Sequence, residues 1–216
     1  MGPGTTHTDT ALWPATGARL KYVQVAGLAP GSALSPDEQQ RYSAFRLEKR
    51  RSEWLAGRLA AKLLLAETDG TDQLAAYEIV TDAYGRPSCG GRLLSISHSN
   101  GWALAALKPG SSSFLGADLE KTEQRHPAWY RDYFHKTELP EADPSEGTRL
   151  WTIKEALMKA LGLGLMADPL DIRVSGEAVK LTGRPLDRYK ELGSPEFAVE
   201  TRAWPAGFWT AVAAGK

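Results

Sequence analysis

Glu155 and Lys159 stand four residues apart in the segment Trp151-Thr152-Ile153-Lys154-Glu155-Ala156-Leu157-Met158-Lys159. On a helix that spacing puts a carboxylate and an ammonium on one face, about 6 Å apart along the axis. Taken alone, such a pair is an exposed ion pair contributing a few tenths of a kcal/mol. Phe114-Leu115-Gly116-Ala117-Asp118-Leu119-Glu120, further upstream, changes its weight. This segment alternates as a strand does, so Asp118 and Glu120 share a face about 7 Å apart while Leu119 turns to the core. Like charges so placed repel unless a cation or water lies between them. If the Glu155 helix packs over this strand, three carboxylates converge. Hard oxygen ligands of that kind suit Mg²⁺, with Mn²⁺ as the alternative.

A carboxylate-bound Mg²⁺ implies a substrate that carries phosphate, and anion-binding partners should accompany it. Gly85-Arg86-Pro87 presents a guanidinium on a rigid turn, suited to forked contacts with phosphate oxygens. Ser95-Ile96-Ser97-His98-Ser99 sets hydroxyls and an imidazole at the end of a strand. Lys49, Arg50, Arg51 and Arg58 lie on one expected helix. Each has a plain alternative: a turn arginine, a hydrogen-bonded strand-end histidine, a solvated basic face.

The elements that must hold these residues can be read from local patterns. Residues 20–28 alternate as a strand, and Ser35-Pro36-Asp37-Glu38 marks a helix start with Ser35 as cap. Helical periodicity continues to about Glu67, with a break near Leu47. A short strand is expected at 77–82, and paired strands at 93–98 and 101–107 around the turn Ser99-Asn100-Gly101. Lys108-Pro109-Gly110-Ser111-Ser112-Ser113 is flexible by composition. The order then repeats: a helix at 150–161 with Trp151 matches one at 53–65 with Trp54. A strand at 170–174 follows, and Gly207-Phe208-Trp209 opens a closing strand like that at Gly101-Trp102. The expected fold is α+β, built from two similar half-domains related by a pseudo-twofold, with the site in the cleft between them. Residues 1–19 are expected as a flexible tail, 20–108 as the first half, 109–113 as a linker and 114–216 as the second half.

The chain has 216 residues, with 26 basic and 26 acidic side chains, so its formal net charge is zero. That excludes bulk nucleic-acid binding, which wants a strongly basic surface. Cys89 is the single cysteine, which rules out an intrachain disulfide and a cysteine-based zinc site and fits a reducing cytoplasm. No apolar run is long enough to cross a bilayer. Met1-Gly2-Pro3-Gly4-Thr5-Thr6 formally matches a myristoylation pattern but is read as part of the loose tail.

In order along the chain, Gly85-Arg86-Pro87, Ser95-Ile96-Ser97-His98, Gly116-Ala117-Asp118-Leu119-Glu120 and Trp151 to Lys159 resemble the motifs of the 4′-phosphopantetheinyl transferases of the surfactin-synthetase-activating (Sfp) type. Phe134-His135-Lys136-Thr137-Glu138 and Gly162-Leu163-Gly164 fit the same pattern, and the resemblance covers about residues 34–214. Glu38 and Ala117 depart from it, Glu38 where some members carry a lysine.

The resemblance implies transfer of the phosphopantetheine arm of coenzyme A to a serine of an apo acyl or peptidyl carrier protein, with release of adenosine 3′,5′-bisphosphate. Asp118, Glu120 and Glu155 would hold Mg²⁺. Arg86, Ser97 and His98, with Lys49, Arg51 and Arg58 from the first half, would grip the phosphates. Lys159 would meet charge on the leaving group, and Glu155 is the candidate base. The acidic carrier would dock on 121–136 through Arg125, His126, Trp129, Tyr130, Arg131, Phe134 and Lys136. A monomer is implied, since shorter single-half members assemble as trimers. A Mg²⁺-dependent phosphohydrolase and a non-catalytic coenzyme A or carrier-binding module are the competing readings.

Overall fold

A computed structural model describes residues 10–110, 113–176 and 178–216. The myristoylation-like start and part of the linker lie outside the described residues. Strands β1 (Ala11–Trp13) and β2 (Ala18–Gln24) form a hairpin. Antiparallel pairing then joins β2 to β6 (Trp102–Leu107) and β6 to β5 (Arg92–Ser99). With β4 (Pro87–Cys89) and β3 (Val80–Thr81) the sheet has six strands in the order β1-β2-β6-β5-β4-β3.

Two expectations are corrected here. The flexible tail cannot extend to residue 19, because 11–13 and 18–19 are strand. Trp13 is buried, and Gly17, at φ 67°, turns the chain back into the sheet. Burying an indole offsets the entropy of ordering this short hairpin. The strand expected at 77–82 shrinks to Val80–Thr81, because Tyr77 and Ile79 drop into the core after a 3₁₀ turn at Leu74–Ala76. By contrast, the 99–101 turn is as expected: Asn100 (φ 42°) and Gly101 (φ 88°) adopt the left-handed backbone that a two-residue hairpin turn needs.

Helix α1 (Pro36–Ala44) starts at a reciprocal cap: Glu38 N–H donates to Ser35 Oγ (3.3 Å) and Ser35 N–H to Glu38 Oε2 (3.1 Å). The backbone turns extended at Phe45 and Leu47, and α2 (Glu48–Asp69) then runs to Gly70, at φ 68°. Helix α2 packs across β2, β5 and β6.

The second half opens with β7 (Leu115–Lys121) and α3 (Pro127–Tyr133), followed by α4 (Pro144–Leu161). A separate hairpin, β8 (Ile172–Ser175) with β9 (Ala178–Leu181), precedes α5 (Gly183–Glu191). Strands β10 (Phe197–Arg202) and β11 (Phe208–Gly215) complete a sheet in the order β10-β11-β7, under α4.

One topology occurs twice. A first strand (β2 or β7) leads through a long helix (α2 or α4) to a hairpin (β5–β6 or β10–β11). The hairpin's second strand pairs antiparallel with the first strand. The two closing strands expected as copies, β6 and β11, occupy the same central place. The fold is therefore α+β with a repeated half. The halves share an apolar seam in which Leu20 and Leu104 meet Leu115, Leu119 and Val212. Among the described residues no helix is long and apolar enough to cross a membrane.

Candidate active site

The site lies where β5 of the first half runs beside β7 of the second. Ser95, Ser97 and Ser99 project from one face of β5, and their hydroxyls take the place of a backbone ladder. Ser95 Oγ accepts from Ala117 N–H (2.8 Å), Ser97 Oγ donates to Asp118 Oδ1 (2.6 Å) and Ser99 Oγ donates to Glu120 Oε2 (3.0 Å). Sequence reasoning found Ser97 but not the roles of its two neighbours.

Helix α4 reaches this seam because of Gly116. A Cβ there would lie 1.9 Å from the Ala156 carbonyl oxygen and 2.5 Å from Ala160 N, so only glycine lets the helix backbone rest on the strand. Lys159, one turn beyond Glu155, is thereby carried to the strand. Its ammonium donates to Asp118 Oδ1 (2.6 Å) and Ser97 Oγ (2.7 Å). The expected i,i+4 pair with Glu155 is thus replaced by a pair with the sheet.

The three carboxylates surround this ammonium without forming a cage. Among the described residues no three carboxylate, imidazole or thiol groups meet closely enough to hold a metal ion as they stand. Their charge is nevertheless poorly matched. Asp118 Oδ2 is buried and makes no hydrogen bond. Burial, and then the charge of Asp118, push both Glu120 and Glu155 up to about 7. A hard divalent cation would relieve all three groups, so the residues present fit one.

Lys154, between Trp151 and Glu155, is wholly buried and holds the helix in place. It donates to Tyr133 O (2.9 Å) and Pro169 O (3.0 Å), and pairs with Glu138 at 3.1 Å. Glu138 also accepts from His135 N–H and Val174 N–H, so this buried pair is fully hydrogen-bonded. Burial pulls the lysine down from its ordinary value, and Glu138 opposes that.

Cavities flank the carboxylates. One of about 350 Å³ is lined by Arg41, Arg50, Arg58 and His98, with Trp54 and Glu53. Arg58 lies 5.2 Å over the Trp54 ring and donates to Ile79 O. A smaller one of about 180 Å³ joins Arg86 and Lys159 beside Gly162. There Arg86 is braced by Asp82 (2.9 Å) and by Ser113 O (3.1 Å). A third, of about 500 Å³, has Glu120 and Glu155 on one wall and Trp129, Tyr133 and Trp151 on another.

Lys49 and Arg51 are not brought to these walls. The Lys49 side chain is 87% exposed, 3.9 Å from Glu53, and Arg51 pairs with Glu48 while covering the Tyr42 ring at 5.5 Å. Arg50, named with the basic residues of this helix but not carried into the expected site, and Arg41, which was unforeseen, stand there instead. The docking expectation is also corrected at Tyr130 and Phe134, which are buried in the core beneath α4 because apolar area gains more there than at the surface. Of the same segment, His126 caps α3 and Arg131 pairs with its neighbour Asp132. Arg125 covers the Trp129 ring at 5.5 Å and lines the third cavity with it.

Residues 38–108 match the model of the 4′-phosphopantetheinyl transferase N-terminal domain. A phosphopantetheinyl transferase of a Thraustochytrium species is 27% identical over 175 residues, which is 66% of this chain and 60% of that protein. The chain thus spans only 60% of the length of the curated relative it matches. Among solved structures, holo-[acyl-carrier-protein] synthase from Helicobacter pylori in complex with coenzyme A is similar at TM-score 0.39 and 18% identity, over 47% of this chain and 99% of that one. The Thermotoga maritima holo-[acyl-carrier-protein] synthase gives TM-score 0.36 and 18% identity, over 56% and 75%. Residues 114–211, which hold Asp118, Glu120, Glu155 and Lys159, match the model of the 4′-phosphopantetheinyl transferase superfamily, and with the match over 38–108 most of the chain is covered: it belongs to that superfamily.

Proposed function

We propose that this protein transfers the 4′-phosphopantetheine arm of coenzyme A to a serine of an apo carrier protein, acyl or peptidyl, in a Mg²⁺-dependent reaction. The observation that carries the reading is the three-carboxylate cluster with Lys159, set between a cation-lined cavity and an aromatic one. Superfamily membership supports it.

In this reading Arg41, Arg50, Arg58 and His98 receive the nucleotide phosphates, and Arg86 with Lys159 receives the pyrophosphate. Asp118 and Glu120 would hold the Mg²⁺, which when bound would neutralise the pyrophosphate charge, and Glu155 beside them is left to act as base. The carrier serine enters from the aromatic cavity. Its hydroxyl oxygen forms a bond to the β-phosphorus as the bridging pyrophosphate bond breaks, and its proton passes to Glu155. Lys159 meets the charge left on adenosine 3′,5′-bisphosphate. Arg125 and Trp129 supply the nearest basic and apolar contacts for an acidic carrier, which docks to a single copy of the chain.

The test is to incubate the protein with coenzyme A, Mg²⁺ and several apo carrier proteins and weigh the carriers by mass spectrometry. Each modified carrier should gain one phosphopantetheine, and the gain should vanish with EDTA. Coenzyme A cleavage without any carrier modification would make the protein a phosphohydrolase instead.

A further inference from the structure

Glu53 is out of place by charge. It is the one carboxylate among the described residues lining a cavity that otherwise carries Arg41, Arg50, Arg58 and His98. A negative group on that wall weakens the hold on any anion unless it acts through a neighbour.

Its position follows from another close contact. Helix α2 approaches β5 at Gly57, where a Cβ would lie 2.8 Å from Ile96 Cγ2. One turn back along the helix is Glu53, and two residues on along the strand is His98. A helical turn and two strand residues both advance about 6 Å, so the second pair meets as the first does. Glu53 Oε2 lies 3.8 Å from His98 Nδ1, and the Glu53 side chain is only 15% exposed. Its other ionic neighbour, Lys49, is 3.9 Å away with its ammonium in solvent.

We infer that Glu53 is a positioning residue: its carboxylate faces the Nδ1 side of His98, opposes the loss of the imidazole's proton and leaves Nε2 to donate to a phosphate of coenzyme A. This rests on the proposed coenzyme A site. The surroundings explain why a carboxylate is needed. Burial lowers the histidine's hold on its proton, Lys159 and Lys49 lower it further, and the carboxylates offset only part of that loss, so the group stays below its ordinary value until a phosphate arrives. Arg41, Arg50 and Arg58 face it across the cavity. Glu53 is the strongest opposing charge, with Asp118 a weaker second. The cost of one negative wall group is offset when His98 takes up a proton against the phosphate and donates a charge-assisted hydrogen bond.

The full-length chain and its Glu53→Gln and His98→Ala variants decide the matter. Histidine titration by NMR is read without ligand, and coenzyme A affinity by calorimetry between about pH 6 and about pH 8.5. In Glu53→Gln the His98 titration should move to lower pH. Coenzyme A should bind about fivefold more weakly near neutral pH, with affinity recovering as pH falls. In the His98→Ala background the same change should no longer weaken binding. An unmoved His98 titration, or tighter coenzyme A binding in Glu53→Gln at every pH, would overturn the assignment. If the unaltered protein bound no coenzyme A, the proposed function would fall, while the titration would still report on Glu53 and His98.

Discussion

The ammonium of Lys159 sits between Asp118 and Ser97, so the residue that spacing pairs with Glu155 is engaged by the sheet instead. Asp118 is the pivot of the arrangement. Its Oδ1 takes two hydrogen bonds, its buried Oδ2 takes none, and its charge helps hold protons on Glu120 and Glu155. Replacing it by alanine should lower transfer by at least about a hundredfold while coenzyme A still binds, because the loss falls on charge stabilisation at the reacting phosphate. Single-turnover assays beside calorimetry would show this. A variant that bound no coenzyme A would contradict the division of roles. At this scale the sequence was informative where chemistry depends on one element. Asp118 with Glu120 on a strand, and Glu155 with Lys159 on a helix, were all legible. It named both Arg50 and Arg51 but could not choose between them, since a step of one residue turns a helix by about 100°. Arg41 was hidden, because its reach depends on how α1 folds back on α2.

Among the elements, α4 carries most of the positioning. It is held at one end by Asp143, whose side chain accepts from Glu146 N–H, and closed at the other by Gly162 at φ 71°. Gly116 on β7 lets it rest on the strand, and Lys154 ties it to the segment around Glu138. Gly116→Ala should cost about 2–4 kcal/mol of stability, as overpacking against backbone cannot relax through a rotamer. Urea denaturation measures that cost. Unchanged stability would mean that the helix can shift without penalty. Helices α1, α2 and α4, the break near Leu47 and the hairpin at Asn100 were readable because each is signalled by caps, turns or periodicity within a few residues. The Lys154–Glu138 pair and the β1–β2 hairpin were not. Both depend on partners supplied by the folded chain, with Trp13 anchoring the hairpin.

For the molecule as a whole, the crowded carboxylates of the site link stability to pH. Glu120 and Glu155 titrate near 4.5 when unfolded and near 7 when folded, so between those values the folded protein binds more protons than the unfolded chain. Their contribution is full at low pH and is lost as pH rises through about 7. With divalent ions chelated, Tm should therefore fall across that window. Adding Mg²⁺ or Mn²⁺ should raise it clearly at about pH 8 and little at about pH 5. Equal effects of the ions at both pH values in thermal melts would remove the carboxylates from the ion site. The repeated half has a further meaning. The six-stranded half supplies the arginines and His98 of one wall, and the three-stranded half supplies the acids of the other. Two identical halves would present both charges on both sides and bind an asymmetric molecule in either sense. With unlike walls fixed in one chain, an elongated substrate with one charged end has a single direction of entry. Its reactive bond then always faces the same partner.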